Sequence, residues 1–262
     1  KHMFNHWIIH EFQILYRSIK ENYQNYYFHE VANQLYHFTW HTFCDWYIEL
    51  SKNLLDSDDY RQETIYTFHL IFNSLLQLLH PIIPFITEKL WSKNNNSILM
   101  THQWNYTDIA VNESLINQTK DFIEFIEEYR SIEKLFEIKK DDHVLIFSEN
   151  EQLQSLFEKN LSVLEFLTRK KLSSKPLQAG LKLPFKKYDF IIETNQIDKD
   201  KIKNKLIENQ RNLQKEKTII DKNLSNTNFA QRAPKDLIDQ NTKRQQSISL
   251  ELSKIDSILL NL

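Results

Sequence analysis

A long apolar segment followed by two closely spaced prolines occupies residues 67–91 (TFHLIFNSLLQLLHPIIPFITEKLW). Its apolar residues recur at steps of three and four, which predicts a helix whose apolar face is too wide for a surface position. These residues are Phe68, Leu70, Phe72, Leu75, Leu76 and Leu79. We therefore expect this segment to form the central helix of a helical bundle.

Two prolines determine where this helix stops. Pro81 and Pro84 each lack a backbone N–H, and each disfavours the helical conformation of the residue before it. The helix must therefore end near His80. Because proline is well tolerated in the first turn of a helix, we expect a short second helix from Pro84 to Trp91.

Three further amphipathic segments predict the rest of the bundle, with helices at about residues 4–21, 28–54 and 112–137. No capping residue is recognisable before the first of them. The expected inward faces are Phe4, Trp7, Ile8, Phe12, Leu15 and Ile19 in the first helix, Val31, Leu35, Phe38, Trp46 and Leu50 in the second, and Leu115, Phe122, Ile123, Ile126, Tyr129 and Leu135 in the third. Helices joined by modest loops favour an up-and-down bundle over residues 1–138.

The periodicity then changes over residues 139–197. Short β-branched and aromatic runs at 144–147 and 188–192 predict two strands. Residues 152–172 between them predict one helix, with its apolar side formed by Leu153, Leu156, Phe157, Leu161, Leu164 and Leu167. We expect a small α/β element.

Two heptad-like stripes fill residues 198–262. The second stripe follows an unbroken 3,4 spacing, and the first is more polar but of similar length. A break rich in Asn, Ser and Pro at 225–234 predicts that they pair as an antiparallel coiled-coil hairpin. The stripes are Ile202, Leu206, Leu213, Ile220 and Leu224, then Ile238, Asn241, Gln245, Ile248, Leu252, Ile255, Leu259 and Leu262. The predicted fold class is therefore mainly α.

Composition excludes several functional classes. The chain has one glycine in 262 residues, so neither a P-loop nor a dinucleotide-binding loop can be assembled. The single cysteine, Cys44, excludes a disulfide framework and a cysteine-rich metal site. No apolar run is long enough for a membrane span. We expect a cytoplasmic protein.

The charge distribution indicates a phosphate-rich partner. Net charge is only −2, yet residues 166–187 carry seven basic side chains and no acidic one. The candidate RNA-binding residues in this tract are Arg169, Lys170, Lys171 and Lys175, and a further candidate, Arg130, lies in the predicted bundle. The alternative interpretation is a solvated charged surface without a partner.

The hairpin supplies the main candidate RNA-binding residues. Arg211, Lys215, Lys217 and Lys222 fall off the apolar stripe, where they could meet phosphates. Phe229 and Arg232 lie at the expected tip, where Phe229 either stacks on a base or closes the end of the hairpin.

No catalytic residue can be assigned from the sequence. His37, His41 and Asp45 share one helix face and could in principle bind a metal, but no fourth ligand is identifiable. His2, His6 and His10 repeat the spacing and are weaker candidates. We therefore predict neither a catalytic site nor a metal site in this chain.

Three motifs carry a resemblance to a known family. They are L-L-H-P-I-I-P-F-I-T-E-K-L-W from Leu78 to Trp91, F-C-D-W-Y-I-E-L-S-K from Phe43 to Lys52, and N-L-S-N-T-N-F-A-Q-R-A-P from Asn223 to Pro234. Together they resemble the C-terminal region of the valyl-tRNA synthetase family, in class I of the aminoacyl-tRNA synthetases. The resemblance implies an anticodon-binding bundle and a coiled-coil arm that contacts tRNA.

The resemblance also implies partners and a division of labour. This chain would recognise and position tRNA(Val) as a monomer, and the enzyme's own catalytic and editing domains would lie outside it. The parent ligase would use ATP and Mg²⁺, whereas this chain would need no cofactor and would be inactive alone. A first helical segment of the bundle is expected to precede residue 1. One position departs from the family pattern, because Glu133 stands where a second arginine usually follows Arg130.

Two other classes of function remain open from the sequence. A stand-alone RNA-binding or chaperone module would bind many structured RNAs equally. A coiled-coil scaffold would use the hairpin to dimerise and would not bind RNA.

Overall fold

The computed structural model describes residues 2–104, 106–138, 145–148, 150–173, 181–185, 188–193, 199–225 and 235–261. The chain forms two compact units, Lys1–Glu124 and Phe125–Leu262. None of the helices in these described ranges is both long and apolar enough to cross a membrane.

The first unit is helical. Its elements are α1 (Met3–Gln24), α2 (Phe28–His37), a π-helix (Phe38–Ile48), α3 (Glu49–Leu55), α4 (Arg61–Leu79), α5 (Pro84–Trp91), a 3₁₀ turn (Leu99–Thr101) and the first half of α6 (Glu113–Leu135). All six residues expected on the inward face of α1 are buried, which confirms that prediction. In α6 the predicted Phe122, Ile126 and Tyr129 are buried, together with Ile116 and Phe125.

Helix α4 ends where the prolines require. The N–H of His80 donates to the carbonyl of Leu76 at 3.0 Å, and α5 then begins at Pro84. The predicted apolar face is only partly correct: Leu75 and Leu76 are buried, whereas Phe68, Leu70, Phe72 and Leu79 are half-buried. The other buried residues are Thr64, Thr67, Ile71 and Leu78, so the helix presents a slightly rotated face to the core.

Polar residues of the Leu78–Trp91 motif bond to one another and to the following loop. His80 Nδ1 lies 2.8 Å from Thr87 Oγ1, which also donates to the carbonyl of Ile83. The carboxylate of Glu88 accepts the N–H of Leu99 at 3.1 Å, and Trp91 is buried against Leu76 and Leu99. The motif therefore fixes the turn after α4.

The helix predicted at 28–54 is present but contains an eleven-residue π-helix. Inward positions follow α-helical steps up to Phe38, and the next buried residue is Phe43, five positions later. A step of five matches the i→i+5 bonding of a π-helix. It brings Tyr47 into the core and leaves Trp46 half-buried, so the predicted inward position of Trp46 is wrong.

The second unit contains a four-stranded sheet of order β2-β1-β4-β3. Its strands are β1 (Leu145–Ser148), β2 (Lys171–Leu172), β3 (Leu181–Phe185) and β4 (Tyr188–Glu193); β1 is parallel to β2 and antiparallel to β4. The two predicted strands correspond to β1 and β4, except that residue 144 lies outside the described residues. Strands β2 and β3 were not expected.

The single helix predicted at 152–172 is wrong. It is divided into α7 (Glu151–Lys159) and α8 (Leu161–Thr168), because Asn160 leaves the helical conformation and its side-chain amide donates to the carbonyl of Leu156. Leu161 is consequently exposed. Arg169 adopts a left-handed conformation with φ of 57°, which ends α8 before β2.

The predicted hairpin is present as α9 (Lys199–Ser225) and α10 (Lys235–Asn261). The two helices run antiparallel, because Gln210 bonds to Asp256 whereas Asp221 bonds to Gln245. The buried seam consists of Ile202, Leu206, Leu213, Ile220, Ile248, Ile255 and Ile258. Asn241 and Gln245 are half-buried, and Leu262 lies outside the described residues.

Candidate nucleic-acid interface

The outer face of α9 carries a stripe of exposed cations. Arg211, Lys215 and Lys222 are exposed, and their spacings of four and seven residues place them on one side of the helix. That side is opposite the seam formed by Leu213 and Ile220. The stripe extends about 16 Å along the helix axis. Within the described part of the chain, these three side chains form no ion pair.

Lys217 differs from these three cations. It is half-buried beside the seam, so it does not share their outward face. The prediction that the four cations lie away from the apolar stripe is therefore confirmed for Arg211, Lys215 and Lys222, whereas Lys217 lies beside it.

The acidic residues of the same part of α9 are turned towards α10. Residues 209–225 contain only two acids, Glu216 and Asp221. Both oxygens of Glu216 accept from the guanidinium of Arg244, at 2.7 and 2.9 Å. Arg244 also donates to Glu251 at 3.0 Å, and Asp221 accepts from the Gln245 amide. Positive charge is thereby left on the outer face.

The Glu216–Arg244 pair has the bidentate geometry of a strong charge-assisted interaction. Hydrogen bonds from Arg244 hold the pKa of the Glu216 carboxyl below its usual value. Glu216 therefore stays ionised and satisfied on the side of α9 that faces α10.

A different set of cations attaches the hairpin to α6 and to Glu137, which lies just after that helix. Lys201 and Lys205 both contact Glu137, at 2.6 and 3.2 Å, and Lys254 contacts Glu128 at 2.6 Å. The hydrogen bond from Lys201 is the main reason that the pKa of Glu137 is lowered. These lysines neutralise acids within the unit and do not contribute to the outward stripe.

Lys170 does not lie on the surface. Its side chain is 1% exposed, and its Nζ lies 3.9 Å from Oε1 of Glu133. An RNA-binding role for Lys170 itself is therefore corrected, because its ammonium is enclosed beside a carboxylate of α6. Its neighbours Arg169 and Lys171 are exposed, as is Arg130 on α6.

Three candidate residues cannot be placed. Lys175, Phe229 and Arg232 lie outside the described residues, so the structure does not locate them.

The histidines proposed as metal ligands contact neighbouring protein groups. His41 Nδ1 lies 3.2 Å from Asp45 Oδ2 on an exposed face, and the ring centroids of His37 and His41 are 5.5 Å apart. Among the residues that the structure describes, no group of three or more His, Cys, Asp or Glu residues could hold a metal. His6 Nδ1 accepts the backbone N–H of Asn112 at 3.1 Å.

A buried polar cluster in the first unit was not found from the sequence. The Tyr47 hydroxyl donates to Asn5 Oδ1 at 3.0 Å, and the Asn5 amide donates to Glu63 and Thr64 at 2.6 and 3.1 Å. Burial raises the pKa of Tyr47. For Glu63, burial acts to raise the pKa, but hydrogen bonds from His2 and Asn5 hold it below its usual value. The signal available in the sequence was a polar residue, Asn5, among the apolar residues of the first helix.

Comparison with known proteins identifies the chain. Residues 5–146, more than half of its length, match the anticodon-binding domain of tRNA ligases. The chain belongs to this family. Residues 198–262 match the tRNA-binding arm of valyl-tRNA synthetase, so the outer face of α9 lies within that arm.

Similar curated proteins are valine–tRNA ligases. The protein of Pelagibacter ubique is 32% identical over 267 residues, covering 96% of this chain. Those of Zymomonas mobilis and Buchnera aphidicola are 29% and 30% identical, covering 97% and 94% of this chain. The chain spans 30%, 30% and 28% of the length of these three relatives. It contains an anticodon-binding domain and a tRNA-binding arm of the valyl-tRNA synthetase type.

Proposed function

We propose that this chain recognises and positions tRNA(Val), with the outer face of α9 contacting phosphates of the tRNA. The observation that carries the proposal is the separation of charge on the arm. Glu216 and Asp221 bond to α10, whereas Arg211, Lys215 and Lys222 face outward. Lysine and arginine contacts with phosphates provide affinity and register without reading base sequence.

The proposal divides the chain into three parts with different roles. Residues 1–138 form the anticodon-binding bundle, residues 139–197 form the small α/β element, and residues 198–262 form the arm. The matches at 5–146 and 198–262 support the first and last parts. Lys217, Phe229 and Arg232 are proposed as further contacts of the arm.

The chemistry of the reaction is assigned to other domains of the ligase. Catalytic and editing domains would attach valine to tRNA with ATP and Mg²⁺, and no residue of this chain is assigned to either ligand. The isolated chain is expected to show no valine-dependent ATP–pyrophosphate exchange. We further propose a cytoplasmic monomer, because the hairpin buries its seam between its own two helices. A doubled mass in sedimentation would favour the scaffold alternative.

The first test is fluorescence anisotropy of the chain with a labelled tRNA(Val) transcript, beside a non-cognate tRNA, across a salt series. We expect tighter cognate binding, with an affinity that falls steeply as salt rises because counterions are released. Equal binding of both tRNAs would reduce the proposal to a general RNA-binding module. No binding at low salt would contradict it.

A pair of variants separates charge from folding. The triple variant Arg211→Glu, Lys215→Glu, Lys222→Glu should weaken tRNA binding by at least about 100-fold, since each reversal replaces an attraction by a repulsion. The charge-preserving triple Arg211→Lys, Lys215→Arg, Lys222→Arg should bind within about threefold of the unmodified chain. Equal affinity for the two triples would rule out phosphate contacts by this face.

A further inference from the structure

Exposed rings line one side of the continuous helix that α2 and the π-helix form. Tyr36 and Trp40 are 60% and 55% exposed, and His37 and His41 beside them are also exposed. The ring centroids of Tyr36 and His41 are 6.2 Å apart, and those of His37 and His41 are 5.5 Å apart. These four residues form the aromatic face of the first unit.

The composition of this segment limits what can bind to the aromatic face. Residues 28–48 contain no lysine or arginine, so this face cannot attract phosphates as the outer face of α9 does. Every aliphatic residue larger than alanine in the same segment is buried or half-buried. The exposed apolar surface therefore consists of flat rings, most of which carry polar atoms at their edges. Such a surface suits a flat ligand with polar edges better than it suits the aliphatic side chains of a protein partner.

Two backbone features also set this region apart. Trp40 and His41 lie in the first turn of the π-helix, a conformation that is rare and often occurs at functional sites. Tyr26, in the turn before α2, is exposed and has a φ of 61°, which is unfavourable for a bulky side chain. A strained residue whose ring is not used in packing points to a functional role for that ring.

The length of the ring-bearing surface matches a short single strand of nucleic acid. Phe28 and Trp40, both exposed, are separated by about 18 Å along the helix axis. Stacked bases of one strand rise by about 3.4 Å each, so this length corresponds to about five bases.

We propose that the aromatic face binds unpaired bases of the tRNA, which stack on Tyr36 and Trp40. Nucleobases are flat, and the polar groups at their edges can bond with the imidazoles of His37 and His41. Bases inside a duplex are covered by their neighbours, so the ligand is a single-stranded loop. The match of residues 5–146 to an anticodon-binding domain supports a loop as the ligand. This inference rests on the proposed function, because it takes the RNA to be tRNA(Val).

The first test is Trp40→Ala, measured by tRNA(Val) anisotropy across a salt series. We expect affinity to fall about tenfold, because one stacking partner of a base is removed. The slope of log affinity against log salt should not change, since stacking on an uncharged ring releases no counterions. Trp40→Phe keeps a ring and should bind within about threefold of the unmodified chain. Tyr66→Ala, which removes a similarly exposed ring from α4, is the matched control and should change neither affinity nor slope.

Tryptophan fluorescence provides a second readout. Of the five tryptophans, Trp40 is exposed and the other four are buried or half-buried. A base stacked on Trp40 should quench its emission, so tRNA(Val) should lower the fluorescence of the unmodified chain and change that of Trp40→Phe much less. Duplex RNA that binds through α9 should not quench Trp40, because its base faces are covered.

The outcomes separate this inference from the proposed function. If the charge-reversed arm loses binding while Trp40→Ala keeps full affinity and tRNA(Val) causes no quenching, the aromatic face is overturned and the proposed function stands. If the unmodified chain binds no tRNA, both are overturned. Equal losses in Trp40→Ala and Tyr66→Ala, or a loss accompanied by a smaller salt slope, would also overturn stacking on this face. Circular dichroism melting of each variant checks that these exposed substitutions leave the fold intact.

Discussion

Lys170 and Glu133 form an ion pair that is almost enclosed, with Nζ and Oε1 3.9 Å apart. The lysine comes from a tract that suggested a solvent-facing basic surface, and the glutamate stands where the family pattern suggested a second arginine. The buried ammonium of Lys170 requires a counter-charge, and the glutamate at position 133 provides it. An arginine at position 133 would place two positive charges together in a poorly solvated place.

Glu133→Gln should therefore destabilise the second unit. It leaves the Lys170 ammonium buried without its carboxylate, and we expect a loss of about 1–3 kcal/mol in the free energy of unfolding, measured by urea denaturation. The matched control is the double variant Glu133→Leu, Lys170→Met, which removes both charges and should be near neutral or stabilising. A double variant that is less stable than Glu133→Gln would contradict this account.

The hydroxyl of Tyr47 supplies a second test in the core of the bundle. Tyr47→Phe removes the donor to Asn5 Oδ1 and leaves a buried acceptor unsatisfied. We therefore expect the free energy of unfolding, measured by chemical denaturation, to fall by about 1–2 kcal/mol. Tyr36→Phe makes the same chemical change on an exposed side chain and should be neutral. Equal effects of the two substitutions would show that the Asn5 contact contributes nothing.

The seam of the arm predicts unequal effects of two neighbouring residues. Ile248 is fully buried in α10, so Ile248→Ala should lower the free energy of unfolding by about 2–4 kcal/mol. The melting temperature of the arm, measured by circular dichroism, should fall accordingly. Leu250 is 65% exposed two positions later, and Leu250→Ala should change stability by less than about 0.5 kcal/mol. If both variants melt alike, the register of the seam is wrong.

His2 makes the stability of the bundle depend on pH. Its Nδ1 accepts the N–H of Phe4 at 3.4 Å, a capping contact that requires a neutral ring. Burial lowers the pKa of His2 to about 4 from an ordinary value of 6.5. Because the unfolded chain binds the proton first, the stability contributed by His2 is lost as pH falls from 6.5 towards 4.

The measurement is the melting temperature of the chain at about pH 7 and about pH 5. His2→Asn retains a capping side chain but does not titrate, so its melting temperature should decrease less on acidification. His29→Asn, on an exposed side chain, is the control and should behave as the unmodified chain does. The raised pKa of Glu133 stabilises the folded chain as pH falls, which opposes the effect of His2. The role of His2 is therefore judged from the difference between the variants. An unchanged decrease in His2→Asn would contradict the capping role.

Sequence patterns predicted those elements whose determinants are local. The face of α1, the end of α4 at the prolines and most of the buried seam of the hairpin follow from the spacing of residues along a single helix. In α10 the seam differs in part, because Ile258 is buried where Leu259 was predicted, and Leu252 is half-buried. The same spacing placed Arg211, Lys215 and Lys222 outward. These positions could be predicted without knowing which other helix or strand packs against them.

The errors have nonlocal causes. Phe43 packs against Phe68 and Phe72 of α4, and α1 also contacts the π-helix, so the five-residue step serves contacts with other helices. A spacing rule for α-helices does not predict such a step. Strand β2 is two residues long and is defined by its pairing with β1. The burial of Lys170 depends on Glu133, which is far away in sequence. The basic composition of the residues around Lys170 therefore suggested only a basic surface.

Arg244, a residue of α10, determines how a charged residue of α9 is paired. Its guanidinium engages Glu216, the residue that directly follows Lys215 in α9. Without Arg244, the Glu216 carboxylate would become an intramolecular competitor of RNA for the neighbouring lysine. Under the proposed function, the affinity of α9 for phosphate would therefore be set in part by a side chain on α10 that need not contact the phosphate at all.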